Sequence, residues 1–140
     1  VVTGPGEYGN LKVPYVIHAV GPYVIHAVGP NYCDYDDGDE DDITRVHNLL
    51  KSAYKSALDR AVENKIKSVA FSLLSAGTCR GSQPLEIVLA HGVTAIQEWS
   101  ASYARESGGK GDARLSQIIL CAYTENECES LQAACDNILI

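Results

Sequence analysis

The stretch Ser68-Val69-Ala70-Phe71-Ser72-Leu73-Leu74-Ser75-Ala76-Gly77-Thr78-Cys79-Arg80-Gly81 passes from a nearly continuous apolar run straight into small residues. Ser68 to Leu74 suits a strand buried within a sheet, because such strands lose the polar alternation of a half-exposed one. Ser75 to Gly81 reads as a loop. Pro84 then opens a helix whose apolar side carries Leu85, Val88, Leu89, Ala95, Ile96 and Trp99 at steps of three and four. Strand, small-residue turn and helix in that order place a candidate ligand site beyond the carboxyl end of the strand.

The same alternation extends outward in both directions. Downstream, Ser107 to Asp112 (SGGKGD) reads as a surface connection and Ser116 to Tyr123 (SQIILCAY) as a second buried strand. Thr124-x-x-Glu127 predicts a capping box that opens a last helix, with Leu131, Ala134, Cys135 and Ile138 on its apolar side. Upstream, Ile43, Val46, Leu49, Leu50, Ala53, Ala57, Leu58, Ala61 and Val62 predict a helix, with Asp42 as its N-cap. Before it, Val13 to Val20 reads as a strand ended by Gly21-Pro22. Strand, helix, strand, helix, strand, helix implies an α/β domain with a largely parallel sheet and helices on both faces.

Tyr15 to Pro22 (YVIHAVGP) is repeated without a change as Tyr23 to Pro30. One period is no solenoid. A single sheet position takes one copy, leaving the other as an edge addition or a bulged loop, and the sequence does not say which. Asp34 to Asp42 is densely acidic. Aligning Gly38 with the glycine of a calcium loop puts Cys33, Tyr35 and Thr44 where oxygen ligands belong, so the segment reads as a solvated loop.

The chain of 140 residues carries a net charge of −7, with 46% hydrophobic and 21% charged residues. That suits one soluble domain spanning residues 1–140. The acidic balance disfavours duplex nucleic acid and anionic membranes as partners, since both are bound through clustered Lys and Arg. No apolar run is long enough to cross a bilayer and no signal peptide is visible; a chain opening on Val1 reads as a fragment or a processed product. Cys33, Cys79, Cys121, Cys128 and Cys135 are odd in number without a C-x-x-C pair, which suggests reduced thiols in an intracellular compartment, cytoplasmic or nuclear. His18 and His26 read as structural, and His47 and His91 lack a partner at ligand spacing, so no metal is expected. No cofactor is implied.

The loop offers chemistry of one kind. Ala76 and Gly77 let backbone approach a ligand, Gly81 can take positive φ, and Ser75 and Thr78 add hydroxyls. Amides beside a helix start can cradle linked phosphates without any net positive charge. S-A-G-x-x-x-G is neither a P-loop nor a dinucleotide fingerprint, however, and on the loop alone a tight turn holding nothing is the better reading. Arg80 either reaches a phosphate or faces solvent. Tyr123 either stacks on a purine or seals the core rim.

Several segments taken together resemble the macrodomain, an ADP-ribose-binding module. Thr3-Gly4, Leu11 and Val16 to Pro22 look like its strand entering a V-G-P turn. Leu49 to Tyr54 resembles the helix that follows, Phe71 to Gly81 its phosphate loop with an L-L-S-A-G core, and Ile118 to Tyr123 its final strand. The resemblance implies a three-layer α/β/α sandwich around a central mixed, largely parallel sheet, with the family's first strands lying upstream. It places Ser75, Ala76, Gly77, Thr78, Cys79 and Gly81 along the diphosphate and distal ribose and Leu73 in the pocket wall. Tyr123 would lie near adenine, with Thr124 beside it. Thr78-Cys79-Arg80-Gly81 departs from the family's usual hydrophobic-aromatic-Gly pattern, leaving Arg80 as a possible replacement for the aromatic. The implied function is binding of ADP-ribose or ADP-ribosylated protein. The alternatives are an ADP-ribosylhydrolase, whose catalytic residues would lie in the upstream region, and a degenerate macrodomain used as a protein-interaction surface.

Overall fold

The computed structural model describes Val2–Thr3, Val16–Ile17 and residues 24–106 and 115–139. The rest of the expected Val13 to Val20 strand and the Ser107 to Asp112 connection lie outside these residues. Strand β1 (Val2–Thr3) pairs antiparallel with β2 (Val16–Ile17). Helix α1 (Glu40–Glu63), strand β3 (Ser68–Ser72), helix α2 (Leu85–Glu106), strand β4 (Gln117–Cys121) and helix α3 (Glu125–Ile138) follow in order. Strands β3 and β4 are parallel, with Ser68 opposite Gln117 and Ser72 opposite Cys121. The chain is thus an α/β fold built on a small parallel sheet.

Helix α1 begins earlier than its apolar periodicity indicates. Asp39, not Asp42, is the N-cap: its carboxylate accepts from the amides of Asp41 at 2.9 Å and Asp42 at 3.4 Å. Glu40, Asp41 and Asp42 then fill the first turn, where the helix dipole favours negative charge. The tail of the acidic loop is therefore helical. At the other end, Lys65 sits at φ 57° and donates to Val62, while Ile66 donates to Ala61. That pair of bonds closes the helix as a Schellman motif.

Val46, Leu50, Tyr54, Leu58 and Ala61 fall on one stripe of α1 and are all buried. Val46, Leu50, Tyr54 and Leu58 form one cluster with Phe71 of β3 and Val88, Ala95 and Ile96 of α2. The opposite side of α2, through Leu85, Leu89 and Val93, packs with Ala76 and with Ala134 of α3. Helix α2 therefore lies between α1 and α3. Among the described residues Leu50, Leu58 and Val46 of α1 and Val88 and Val93 of α2 are the largest fully buried side chains, each contributing roughly 1.5–3 kcal/mol by leaving water.

The two strands are half-buried rather than buried on both faces. Val69, Phe71, Ile118 and Leu120 turn toward the helices, whereas Ser68, Ala70, Ser72, Gln117, Ile119 and Cys121 are exposed. Small Ser and Ala at alternate positions concealed this period-two pattern within an apolar run. Among the described residues the helices cover one face of the sheet only.

The second copy of the octapeptide packs into this fold. Ile25 and Ala27 turn inward against the core cluster while Val24, His26 and Val28 are exposed. Ile25 to Val28 line a groove with Ala53, Ser56, Ala57 and Arg60 of α1.

Candidate functional site

Because β3 and β4 run parallel in register, the segments leaving their carboxyl ends share one edge of the sheet. Leu73 to Gly81 leaves β3 there, and Ala122 to Thr124 leaves β4. The structure thereby brings the two expected parts of the site to one edge.

The loop is braced from four sides. The Leu74 amide donates to the Tyr54 hydroxyl at 2.9 Å, fixing the exit of β3 to α1. Ser75, at φ 57° and buried, donates through Oγ to the Pro30 carbonyl at 2.7 Å. Gly29 lies against the same hydroxyl: a Cβ there would sit 2.4 Å from Ser75 Oγ and 3.2 Å from Leu74 Cβ. Gly81, at φ 61°, packs on Cys33, and Ser82 donates to Asp37 at 2.6 Å. Positive φ at Gly81 costs a glycine little, which explains that residue at the loop's end.

Within this frame Ala76 is buried, whereas Gly77, Thr78 and Cys79 are exposed. Thr78 to Arg80 form one 3-10 turn, in which the amides of Arg80 and Gly81 return to Gly77 and Thr78. The amides of Ser75, Ala76, Gly77, Thr78 and Cys79 donate to no other group among the described residues. Those of the exposed Gly77, Thr78 and Cys79 are open to water or to an external acceptor. Gly77 adds a second point. A Cβ there would meet nothing within 4 Å, so packing of the described residues gives no reason for a glycine.

The remaining expected site residues fall as follows. Leu73 packs beside the Ala76, Leu85 and Leu89 cluster. Arg80 folds back, with Nη1 donating to the Gln83 carbonyl, and its buried Nε has no acceptor among the described residues. Tyr123 is 96% exposed, so it does not seal the core rim. Thr124 caps α3 through the full capping box, receiving the Glu127 amide at 3.2 Å. The Glu127 carboxylate in turn accepts from the amides of Tyr123 and Thr124 at 2.8 and 3.0 Å. This holds the backbone of Tyr123 while leaving its ring free. The bracing residues Gly29, Pro30, Cys33 and Tyr54 were not anticipated as part of the site.

A polar ring cluster adjoins the loop. Tyr32, on the 3-10 turn Tyr32–Asp34 that packs against Thr78–Arg80, lies 5.7 Å from His47 of α1. His47 stacks on His91 of α2 at 3.8 Å and 26°. Burial, then the positive charges of His47 and Lys51, push His91 down to about 4, with Glu98 opposing. His47 is lowered by burial and by Lys51, and burial pushes Tyr32 up to about 12. The Tyr32 hydroxyl and His47 Nε2 are buried with no hydrogen bond among the described residues. All five cysteines are free. Among the described residues no group of three or more His, Cys, Asp or Glu is arranged to hold a metal, and no helix is long and apolar enough to cross a membrane.

No curated protein matches the chain. The family model described as Macro domain matches residues 6–88, a span that includes β3, the whole Ser75 to Gly81 loop and the first turn of α2. That match covers more than half of the sequence and agrees with the braced loop at the sheet edge: the chain belongs to the macro domain family, whose members generally bind ADP-ribose.

Proposed function

We propose that this chain binds ADP-ribose, free or attached to protein, with its diphosphate on the amides of Ser75 to Cys79. The observation that carries this is the run of five amides without a protein acceptor among the described residues, at the carboxyl end of β3 and just ahead of α2. Preorganised amides stabilise a diphosphate without a cationic side chain, which reconciles an anionic ligand with a chain of net charge −7. Ser75, Ala76, Gly77, Thr78, Cys79 and Gly81 line the diphosphate and distal ribose. Leu73 supports the pocket wall, and Tyr123 and Thr124 lie on the adenine side. Arg80, turned back on Gln83, shapes the turn rather than meeting phosphate.

In this reading residues 1–140 form one macrodomain unit, and the open sheet face belongs inside a three-layer α/β/α sandwich with a mixed, largely parallel sheet. Exposure of Ile119, Val24 and Val28 supports that further cover. Binding is preferred over hydrolysis because the groups brought together are backbone amides and hydroxyls, which hold an anion rather than activate a water.

Calorimetry with ADP-ribose tests the proposal. The parent chain binds, and Gly77→Val loses about tenfold or more in affinity while unfolding at the same temperature, because its side chain projects into space that the described residues leave empty. Equal affinity in parent and variant refutes the loop assignment.

A further inference from the structure

Helix α2 carries a glycine well inside its length. Gly92 sits in ordinary helical backbone, so no turn asks for it, and glycine is among the poorest helix formers. What it does is leave room. A Cβ at Gly92 would lie 3.0 Å from Tyr54 Cε2 and 3.3 Å from both Tyr54 Cζ and the hydroxyl oxygen. Tyr54 is 2% exposed, and its ring meets Phe71 of β3 with centroids 5.3 Å apart. The ring therefore touches both α2 and the sheet, while its hydroxyl accepts from the Leu74 amide at 2.9 Å.

We propose that Gly92 is a positioning residue for the diphosphate loop, an assignment that rests on the ADP-ribose reading for its ligand. By leaving α2 bare at that point, Gly92 seats the Tyr54 ring so that the hydroxyl holds Leu74 at the entry to the Ser75 to Cys79 amides. A methyl group at residue 92 crowds the ring, which must retreat by a few tenths of an ångström. A buried ring packed on Phe71 has little space for that. The hydroxyl shifts with the ring, and the bond from Leu74 is stretched and misaligned, which weakens it. Leu74 directly precedes Ser75, which is held at φ 57° with Oγ on the Pro30 carbonyl. A displaced Leu74 therefore moves the first amide of the run.

Gly92→Ala, Tyr54→Phe and the double variant are compared with the parent chain by hydrogen exchange at the Leu74 amide and by calorimetry with ADP-ribose. Helix propensity alone makes Gly92→Ala a stabilising change, so a merely structural glycine would leave Leu74 as protected as in the parent. The expected result is that Gly92→Ala speeds exchange at Leu74 about three- to tenfold and weakens ADP-ribose by a similar factor, the equivalent of one hydrogen bond. Tyr54→Phe does the same. In the Tyr54→Phe background Gly92→Ala adds no further loss, because the bond it disturbs is already gone. Parent-like exchange at Leu74 in Gly92→Ala overturns the proposal, as does an undiminished further loss in the Tyr54→Phe background. Should Gly92→Ala fail to fold, Tyr54→Phe decides: unchanged exchange at Leu74 and unchanged affinity in that variant overturn it too. A parent chain that does not bind ADP-ribose refutes the ligand reading alone, since exchange at Leu74 involves no ligand and still decides what Gly92 positions.

Discussion

Acidification should loosen the junction between α1 and α2 by loading protons onto the stacked His47–His91 pair. A histidine in the unfolded chain titrates near 6.5, while His91 in the fold is held down to about 4 by burial and by the charges of His47 and Lys51. The folded state therefore binds fewer protons than the unfolded state throughout that interval, and stability rises with pH across it. The contribution is fully present above 6.5 and lost as the pH falls from 6.5 toward 4. At roughly 1.4 kcal/mol per pH unit the ceiling is about 3 kcal/mol. The ring is only partly buried, and solvent screening reduces this to about 1–2 kcal/mol. Urea unfolding at pH 7, 6, 5 and 4 measures it. The many carboxylates add their own acid dependence, so the comparison is with His91→Phe, which keeps a ring against His47 but takes no proton. The parent should lose about 1–2 kcal/mol more than the variant between pH 6.5 and 4. Identical pH slopes in the two proteins would refute the assignment.

Tyr54→Phe removes the acceptor of the Leu74 amide and should cost about 1–3 kcal/mol in urea unfolding, since it leaves a partly buried donor unpaired; a change below about 0.3 kcal/mol would mean that water replaces the hydroxyl freely. Tyr123→Ala should leave stability within about 0.5 kcal/mol, because the ring is exposed and the backbone is tied to Glu127. The same variant should weaken ADP-ribose about tenfold, as loss of one base–aromatic stack implies, yet leave ribose 5-phosphate unchanged in a calorimetric comparison. Equal losses for both ligands would count against adenine packing.

How much of this was legible in the sequence depended on distance along the chain. The α3 cap was readable because Thr124 and Glu127 are three residues apart and their bonds close locally. The start of α1 was not: apolar spacing begins at Ile43, whereas the cap belongs to Asp39 inside a run of acids that looked like a solvated loop. The strands misled for a different reason. In SVAFS the exposed positions hold Ser and Ala, residues small enough to pass for core, so alternation was hidden. The loop itself stood out through its small residues, but its bracing did not. Ser75 meets Pro30 across 45 residues, and Leu74 meets Tyr54 across 20. No local pattern marks such contacts. Glycine shows the difference well: Gly29 and Gly81 are required by what they touch, and Gly77 by nothing in the described protein. Only the structure separates the glycines that serve packing from the one whose missing side chain faces open space among the described residues.

The five peptide nitrogens of Ser75 to Cys79 can be watched one by one. In a titration of 15N-labelled protein with ADP-ribose, the account predicts that the largest amide shifts fall on Ser75, Ala76, Gly77, Thr78 and Cys79, with Arg80 and Gly81, already bonded within the turn, moving less. Binding without a shift in those five amides, or shifts centred elsewhere on the chain, would contradict it.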